Sequence, residues 1–96
     1  MDEMPSTLLA DYRTPTYTQD TVPGELTKEH VNENGSWSMV HVLSGEIDLY
    51  CEDKLPGTPQ RLARRAPGIV EPGERHRLEV CGEVKFYVQY FKDPNP

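Results

Sequence analysis

The sequence has little of what several protein classes require. Basic residues are few, because 10 lysines and arginines stand against 16 acidic residues and give a formal charge of -6. We therefore expect no nucleic-acid partner, since duplex binding needs a positive surface. No continuous apolar run approaches the roughly 18 residues of a membrane span, so no membrane partner is expected either.

Features of exported, nucleotide-binding and serine-hydrolase proteins are also lacking. The first five residues are acidic where a signal or transit peptide would be basic. The two cysteines, Cys51 and Cys81, are too few for a disulfide framework and lack the spacing of a zinc knuckle. No Gly-x-Gly-x-x-Gly loop and no Gly-x-Ser-x-Gly elbow is present. We expect a complete, cytoplasmic chain whose reduced thiols pack in the core.

Turn-forming residues are frequent throughout the sequence. Nine prolines and seven glycines interrupt the 96 residues, and no window shows a helical apolar stripe. The length allows one domain, residues 1–96, with a modest core. Residues 1–24 contain three prolines and a Thr/Tyr-rich run, which predicts an extended N-terminal arm with an edge strand. Seven or eight short strands predict an all-β sandwich or barrel.

The middle of the chain predicts a hairpin. Residues 25–31 and 36–43 flank the run Asn32-Glu33-Asn34-Gly35, which suits a tight reversal. Ser44-Gly45 predicts a second reversal, and residues 53–59, with two prolines and a glycine, predict a surface loop.

The three histidines are the first candidates for chemistry, because imidazole is a common metal ligand and titrates near neutrality. His76 alternates with Leu78 and Val80, so a regular pleat places it on the inward, apolar face. His30 lies at the end of its strand, a position at the rim of a barrel. In the predicted hairpin His41 lies about 13 Å from His30 along the ladder. We interpret His41 as a packed or surface residue.

A divalent metal would need a third ligand besides His30 and His76, and a carboxylate is the obvious source. Glu71, Glu74 and Glu79 are the candidates. An ideal strand places His76 and Glu79 on opposite faces, so Glu79 joins the site only if a bulge intervenes. The alternative interpretation is a hydrogen-bonded core histidine.

Five arginines fall between residues 61 and 77 and suggest two interpretations. They either attract an anionic ligand or face solvent and balance the surplus of carboxylates, and we favour the second. The five are Arg61, Arg64, Arg65, Arg75 and Arg77.

The order of several short motifs resembles a known family. The sequence resembles the small cupin family of the tellurite-resistance type, the TehB/YeaR-like domain, in the runs 35–45 (GSWSMVHVLSG) and 70–79 (VEPGERHRLE). The N-terminal part is similar to that family too, in Tyr-Arg-Thr-Pro at 12–15, in residues 20–26 and in Glu29-His30. The resemblance spans nearly the whole chain.

The resemblance implies a cupin-like double-stranded β-helix, a small jelly-roll barrel whose interior usually holds a metal or a small ligand. Its pattern of a histidine before the first hairpin turn matches His30. Its Pro-x-x-x-His-x-x-Glu phrase matches Pro72, His76 and Glu79. By this resemblance His30, His76 and Glu79 are the expected ligands of a divalent metal of the zinc or iron type.

Three functional hypotheses follow. The first is a metal-binding cupin that also takes a small anion or oxidant, related to tellurite-resistance and nitrate-stress proteins. The second is a non-catalytic module that binds or senses a small molecule or oxyanion without metal. The third is self-association as a homodimer through the N-terminal arm. The sequence does not decide whether the chain is an enzyme.

Overall fold

The computed structural model describes residues 4–32 and 35–94 of the chain. Strands β1 and β2 come first, followed by a single-turn helix and four further strands. Their bounds are β1 (Leu9–Arg13), β2 (Tyr17–Thr18), α1 (Gly24–Thr27), β3 (Trp37–Cys51), β4 (Gln60–Ala63), β5 (Gly68–Val70) and β6 (His76–Lys92). Within the described ranges, no helix is long and apolar enough to cross a membrane.

All six strands belong to one antiparallel sheet, which confirms the all-β prediction. The order is β1-β6-β3-β4, while β2 also pairs with β6 and β5 also pairs with β3. The two long strands form the centre of the sheet, since β3 and β6 pair from Trp37 with Phe91 to Cys51 with His76. Every other strand borders one of these two.

The core lies on one face of these strands. Alternation along β3 and β6 places every second side chain on this face. Gly68 of β5 packs closely against this core, since a Cβ at this position would lie 2.7 Å from Leu62 Cδ1 and 3.0 Å from Leu49 Cδ2. The buried cluster comprises Val40, Val42, Ile47, Leu49, Leu62, Val70, Leu78, Val84, Phe86 and Val88.

The pairing of β3 with β6 is irregular at Ser44 and Gly45. The register shifts between Val42 and Ser44 and again between Gly45 and Ile47. Gly45 has φ +76°, and a Cβ there would overlap the carbonyl oxygen of Glu83 on the facing strand. Only glycine meets both conditions without strain. The predicted reversal at Ser44-Gly45 is therefore wrong, because these residues form an irregularity within a continuous strand.

The predicted hairpin is also wrong. Residues 24–27 form α1, and β3 pairs with β4, β5 and β6 instead of with the segment before it. Residues 33 and 34 of the predicted reversal lie outside the described residues. The loop predicted at residues 53–59 does lie between β3 and β4.

The N-terminal strand lies at the edge of the sheet. β1 is the first strand in the sheet order, and its five residues are exposed. Self-association through this strand remains a prediction.

Both cysteines are free, and Cys51 is buried as expected, whereas Cys81 is exposed and does not fill the core.

We predict that Gly45→Ala destabilises the fold. Positive φ disfavours alanine and the new Cβ would force β3 away from β6, so the free energy of unfolding should fall by about 2 kcal/mol or more. Urea denaturation measures the change. Gly24→Ala is the matched control, because Gly24 has no atom within 4 Å of an added Cβ. Equal stabilities of the two variants would contradict this role of Gly45.

Candidate functional site

His30 and His76 are brought together by an isolated antiparallel bridge. The amide of each residue donates a hydrogen bond to the carbonyl of the other, both at 2.9 Å. Residues that exchange both hydrogen bonds lie directly opposite each other, with their side chains on the same side. The two imidazole rings accordingly lie with centroids 4.2 Å apart and planes tilted by 52°.

Both rings use the same nitrogen to bind the backbone. Nδ1 of His30 lies 2.8 Å from the carbonyl oxygen of Lys28, and Nδ1 of His76 lies 2.9 Å from that of Glu74. A carbonyl oxygen only accepts hydrogen bonds, so Nδ1 carries the proton in each ring. In the neutral ring Nε2 then keeps its lone pair, which is the arrangement that metal-ligating histidines use.

Burial keeps His76 neutral. The residue is only 5% exposed. This burial lowers the pKa of His76 below its ordinary value, and the adjacent His30 lowers it further, while the hydrogen bond to the Glu74 carbonyl opposes both effects. His76 is therefore an uncharged imidazole at neutral pH, the form that binds metal ions.

A void of about 10 Å³ is lined by both histidines and by Ser38. Its other walls are apolar and include Leu26, Val40 and Leu78. A space of this size is sufficient for a single water-sized species. The void therefore suits a small ion or a water molecule and is too small for an organic ligand.

Ser38 and Asn32 are site residues that the sequence reasoning missed. Asn32 Nδ2 donates to Ser38 Oγ at 2.9 Å and to the Ser36 carbonyl at 3.2 Å. Ser38 is 1% exposed and shares the inward face of β3 with Val40 and Val42. The sequence did contain a signal for these two residues. Ser38 alternates with Val40 and Val42 on the same face of the strand, and a hydroxyl buried among valines needs a polar partner.

The three candidate carboxylates lie in other interactions. Glu74 accepts a hydrogen bond from the Glu71 amide at 2.6 Å and, like Glu71, forms an ion pair with Lys54. Glu79 lies 3.9 Å from Arg77 with half of its side chain exposed. Among residues 4–32 and 35–94, no group of three or more His, Cys, Asp or Glu side chains is arranged to hold a metal ion. The structure thus brings His30 and His76 together without Glu79.

The remaining histidine lies apart from this pair. His41 stacks on Tyr87 with ring centroids 4.9 Å apart, and the Arg13 guanidinium lies 3.8 Å from the centroid of the same Tyr87 ring. Partial burial, followed by the charge of Arg13, lowers the pKa of His41. His41 is a half-buried, stacked residue, in agreement with its interpretation from the sequence.

The clustered arginines include three that contact acidic side chains. Arg61 pairs with Glu46 and Asp48. Arg75 pairs with Glu29 and Asp53, and Arg77 lies over the Tyr50 ring next to Glu79. These contacts agree with the interpretation that the arginines balance surface carboxylates.

A larger cavity of about 380 Å³ opens beside His30. Its walls come from β1, α1, the segment around Asn32 and the end of β6, and include Asp11, Tyr12, Glu25, Leu26 and Tyr90. No lysine or arginine of the described ranges lines it. The histidine pair therefore lies next to an acidic and aromatic cavity of a size typical of small-molecule sites.

By its fold the chain is a small all-β domain, and comparisons with known proteins identify its family. The model of the TehB-like domain matches residues 3–88, so the chain belongs to the TehB-like family. A search of curated proteins found no match.

Two solved structures show the same fold. A crystal structure of an Escherichia coli K12 protein has a TM-score of 0.88 at 16% identity, covering 99% of this chain and 100% of that one. The crystal structure of TehB from Haemophilus influenzae has a TM-score of 0.82 at 21% identity. That match covers 94% of this chain and 33% of TehB, so the chain spans about a third of that protein. At these identities the likeness establishes the fold alone.

We predict that His76 makes stability depend on pH. The unfolded chain binds a proton on this residue near pH 6.5, whereas the folded chain binds it only at lower pH. Stability should therefore be complete above about pH 7 and fall as the pH decreases, by at most about 1.4 kcal/mol per pH unit.

Urea denaturation of metal-free protein between pH 7.5 and 5.5 measures this effect, with His76→Gln as the comparison. The variant should lose stability less steeply over this range, while His41→Gln controls for the other depressed histidine. Equal slopes in the parent and His76→Gln would contradict the assignment.

Proposed function

We propose that the chain is a cytoplasmic, cupin-like binding domain in which His30 and His76 hold a divalent ion of the zinc or iron type. In this proposal the antiparallel sheet is a small jelly roll, and the small void lined by both histidines is the ion site. The free thiols of Cys51 and Cys81 suit a reducing compartment.

The observation that carries the proposal is the shared arrangement of the two imidazoles. Each ring donates Nδ1–H to a backbone carbonyl two residues earlier, which leaves Nε2 as the nitrogen available to an ion. The rings lie side by side at the same small void. Burial favours the neutral form of His76, so an ion would not have to displace a proton from it at neutral pH.

Two protein ligands leave most coordination positions to water or to a small ligand. A bound ion would supply Lewis-acid chemistry and positive charge. That charge matters for the anion or oxidant implied by the family resemblance, because an oxyanion entering alone would meet Asp11 and Glu25 in the larger cavity. We therefore propose that an anion binds only when the ion is present.

The second candidate function is small-ligand binding or sensing without metal. The cavity of about 380 Å³ favours it, since this space is large enough for a metabolite and needs no ion to complete it. In this case His30, which lines the cavity, accepts a hydrogen bond from the ligand or from a water molecule at Nε2.

Elemental analysis of protein purified without an affinity tag distinguishes the two functions. The metal proposal expects close to one equivalent of a divalent ion, or its uptake on titration with Zn²⁺ or Co²⁺. His76→Ala should weaken binding by more than the roughly 10- to 100-fold cost of losing an outer-shell partner. Circular dichroism verifies that the variant folds.

Two control variants sharpen this test. His41→Ala should retain the metal content of the parent, because His41 lies on Tyr87 and away from the pair. Glu79→Gln tests the carboxylate expected from the family pattern, and its position beside Arg77 predicts unchanged metal content. Absence of metal uptake by the parent, or equal uptake by His76→Ala, would refute the metal proposal.

A further inference from the structure

Two carboxylates of the larger cavity differ from most acidic side chains of the surface. Asp11 of β1 and Glu25 of α1 have no ion-pair partner among the described residues, although both line the same cavity of about 380 Å³. Elsewhere an arginine or lysine commonly faces the carboxylate, as it does at Glu29, Glu46, Asp48, Asp53, Glu71, Glu74 and Glu79. The cavity therefore presents two negative charges that no described lysine or arginine pairs with.

Tyrosine rings form another wall of this cavity. Tyr12 and Tyr90 stack with centroids 6.3 Å apart and planes tilted by 24°. Tyr12 is 57% exposed, so much of its surface is accessible to a ligand. An adjoining space of about 180 Å³ is lined by the same two rings together with Tyr17 and Glu25. The two spaces thus share Tyr12, Tyr90 and Glu25 as walls.

The chain already places cations on other tyrosines. The guanidinium of Arg13 lies 3.8 Å from the centroid of Tyr87, and that of Arg77 lies 4.0 Å from the centroid of Tyr50. Within the described part of the chain, no such cation lies over Tyr12. A cation over a tyrosine ring is attracted by the negative face of the ring, even at an exposed site.

We infer that this cavity binds an organic cation, an ammonium group on a small carbon skeleton. The positive group would lie near Asp11 and Glu25, and its carbon atoms would contact Tyr12 and Tyr90. A free anion is repelled by the same carboxylates. A bare divalent ion is a poorer occupant, because it holds its hydration water strongly and gains nothing from the ring surface of Tyr12 and Tyr90.

This inference is tested separately from the metal proposal. The proposed ion site is the small void lined by both histidines, whereas His30 lines the larger cavity and His76 does not. Binding of the organic cation is therefore measured on protein kept free of metal by a chelator. It should be unchanged in His76→Ala, so the two proposals fail separately.

The test is an NMR titration of the metal-free chain with choline and with ethanolamine. Because the carboxylates are exposed, we expect a dissociation constant of about 1 mM, with the largest amide shifts in β1, α1 and the end of β6. The comparison ligand is 3,3-dimethylbutan-1-ol, the neutral carbon isostere of choline. It should bind at least about 5-fold more weakly, since only the charge differs.

Variants assign the binding to the cavity. The double substitution Asp11→Asn and Glu25→Gln should weaken binding of the cation by about 5-fold or more, and Tyr12→Leu by about 2- to 5-fold. Glu29→Gln is the matched control, because Glu29 is near in sequence but faces Arg75 outside the cavity. Thermal unfolding verifies that each variant is folded.

Three results would overturn the inference. The first is that neither choline nor ethanolamine shifts the cavity amides. The second is that choline and its neutral isostere bind equally. The third is that the double variant binds as tightly as the Glu29→Gln control. Cation binding that exceeds binding of the isostere and is lost in the double variant supports the inference.

Discussion

The pair of backbone hydrogen bonds between His30 and His76 is the constraint on which the candidate site depends. It fastens the segment after α1 to the first residue of β6. Because the bridge fixes both Cα atoms directly opposite each other, the imidazoles must share one side of it. Each ring is then oriented by a carbonyl of its own segment, from Lys28 or from Glu74. The site is therefore positioned by main-chain atoms, which side-chain substitutions elsewhere leave in place.

The surroundings of the pair divide into two electrostatic environments. On the inner side, apolar residues such as Val40 and Leu78 enclose His76 and disfavour its protonation. On the outer side, Asp11 and Glu25 give the cavity a negative charge. Our two proposals place a positively charged species on each side, for different reasons. On the inner side the Nε2 lone pairs would bind an ion, and on the outer side Asp11 and Glu25, which pair with no described lysine or arginine, would face the ligand.

The sequence predicted the fold class and the inward position of His76 because both follow from local rules. Proline and glycine spacing excludes long helices, and alternation with Leu78 and Val80 fixes the face of a strand regardless of its partner. The shared site of His30 and His76 was suggested by the inward position of one and the rim position of the other, and the family resemblance strengthened it. Strand patterns alone could not decide it, because no local rule pairs residues that lie so far apart along the chain.

The errors arose where pairing is non-local. The segment before β3 carried good turn residues, so a hairpin was the simplest prediction, yet β3 pairs with β6 instead. Ser44-Gly45 looked like a reversal because glycine with positive φ serves turns and bulges alike. The acidic cavity was not foreseen, since its walls come from β1, α1 and β6, and only the tertiary fold assembles them.

The reliance on β3 and β6 also bears on how the chain is made. These strands supply most of the buried face. Sheets built from distant segments form slowly, because loop closure precedes the favourable contacts. On the ribosome, β3 emerges before β6, so its valines and leucines have no partner strand until β6 has also been made. The order of the two strands along the chain thus delays closure of the core until the second of them is available.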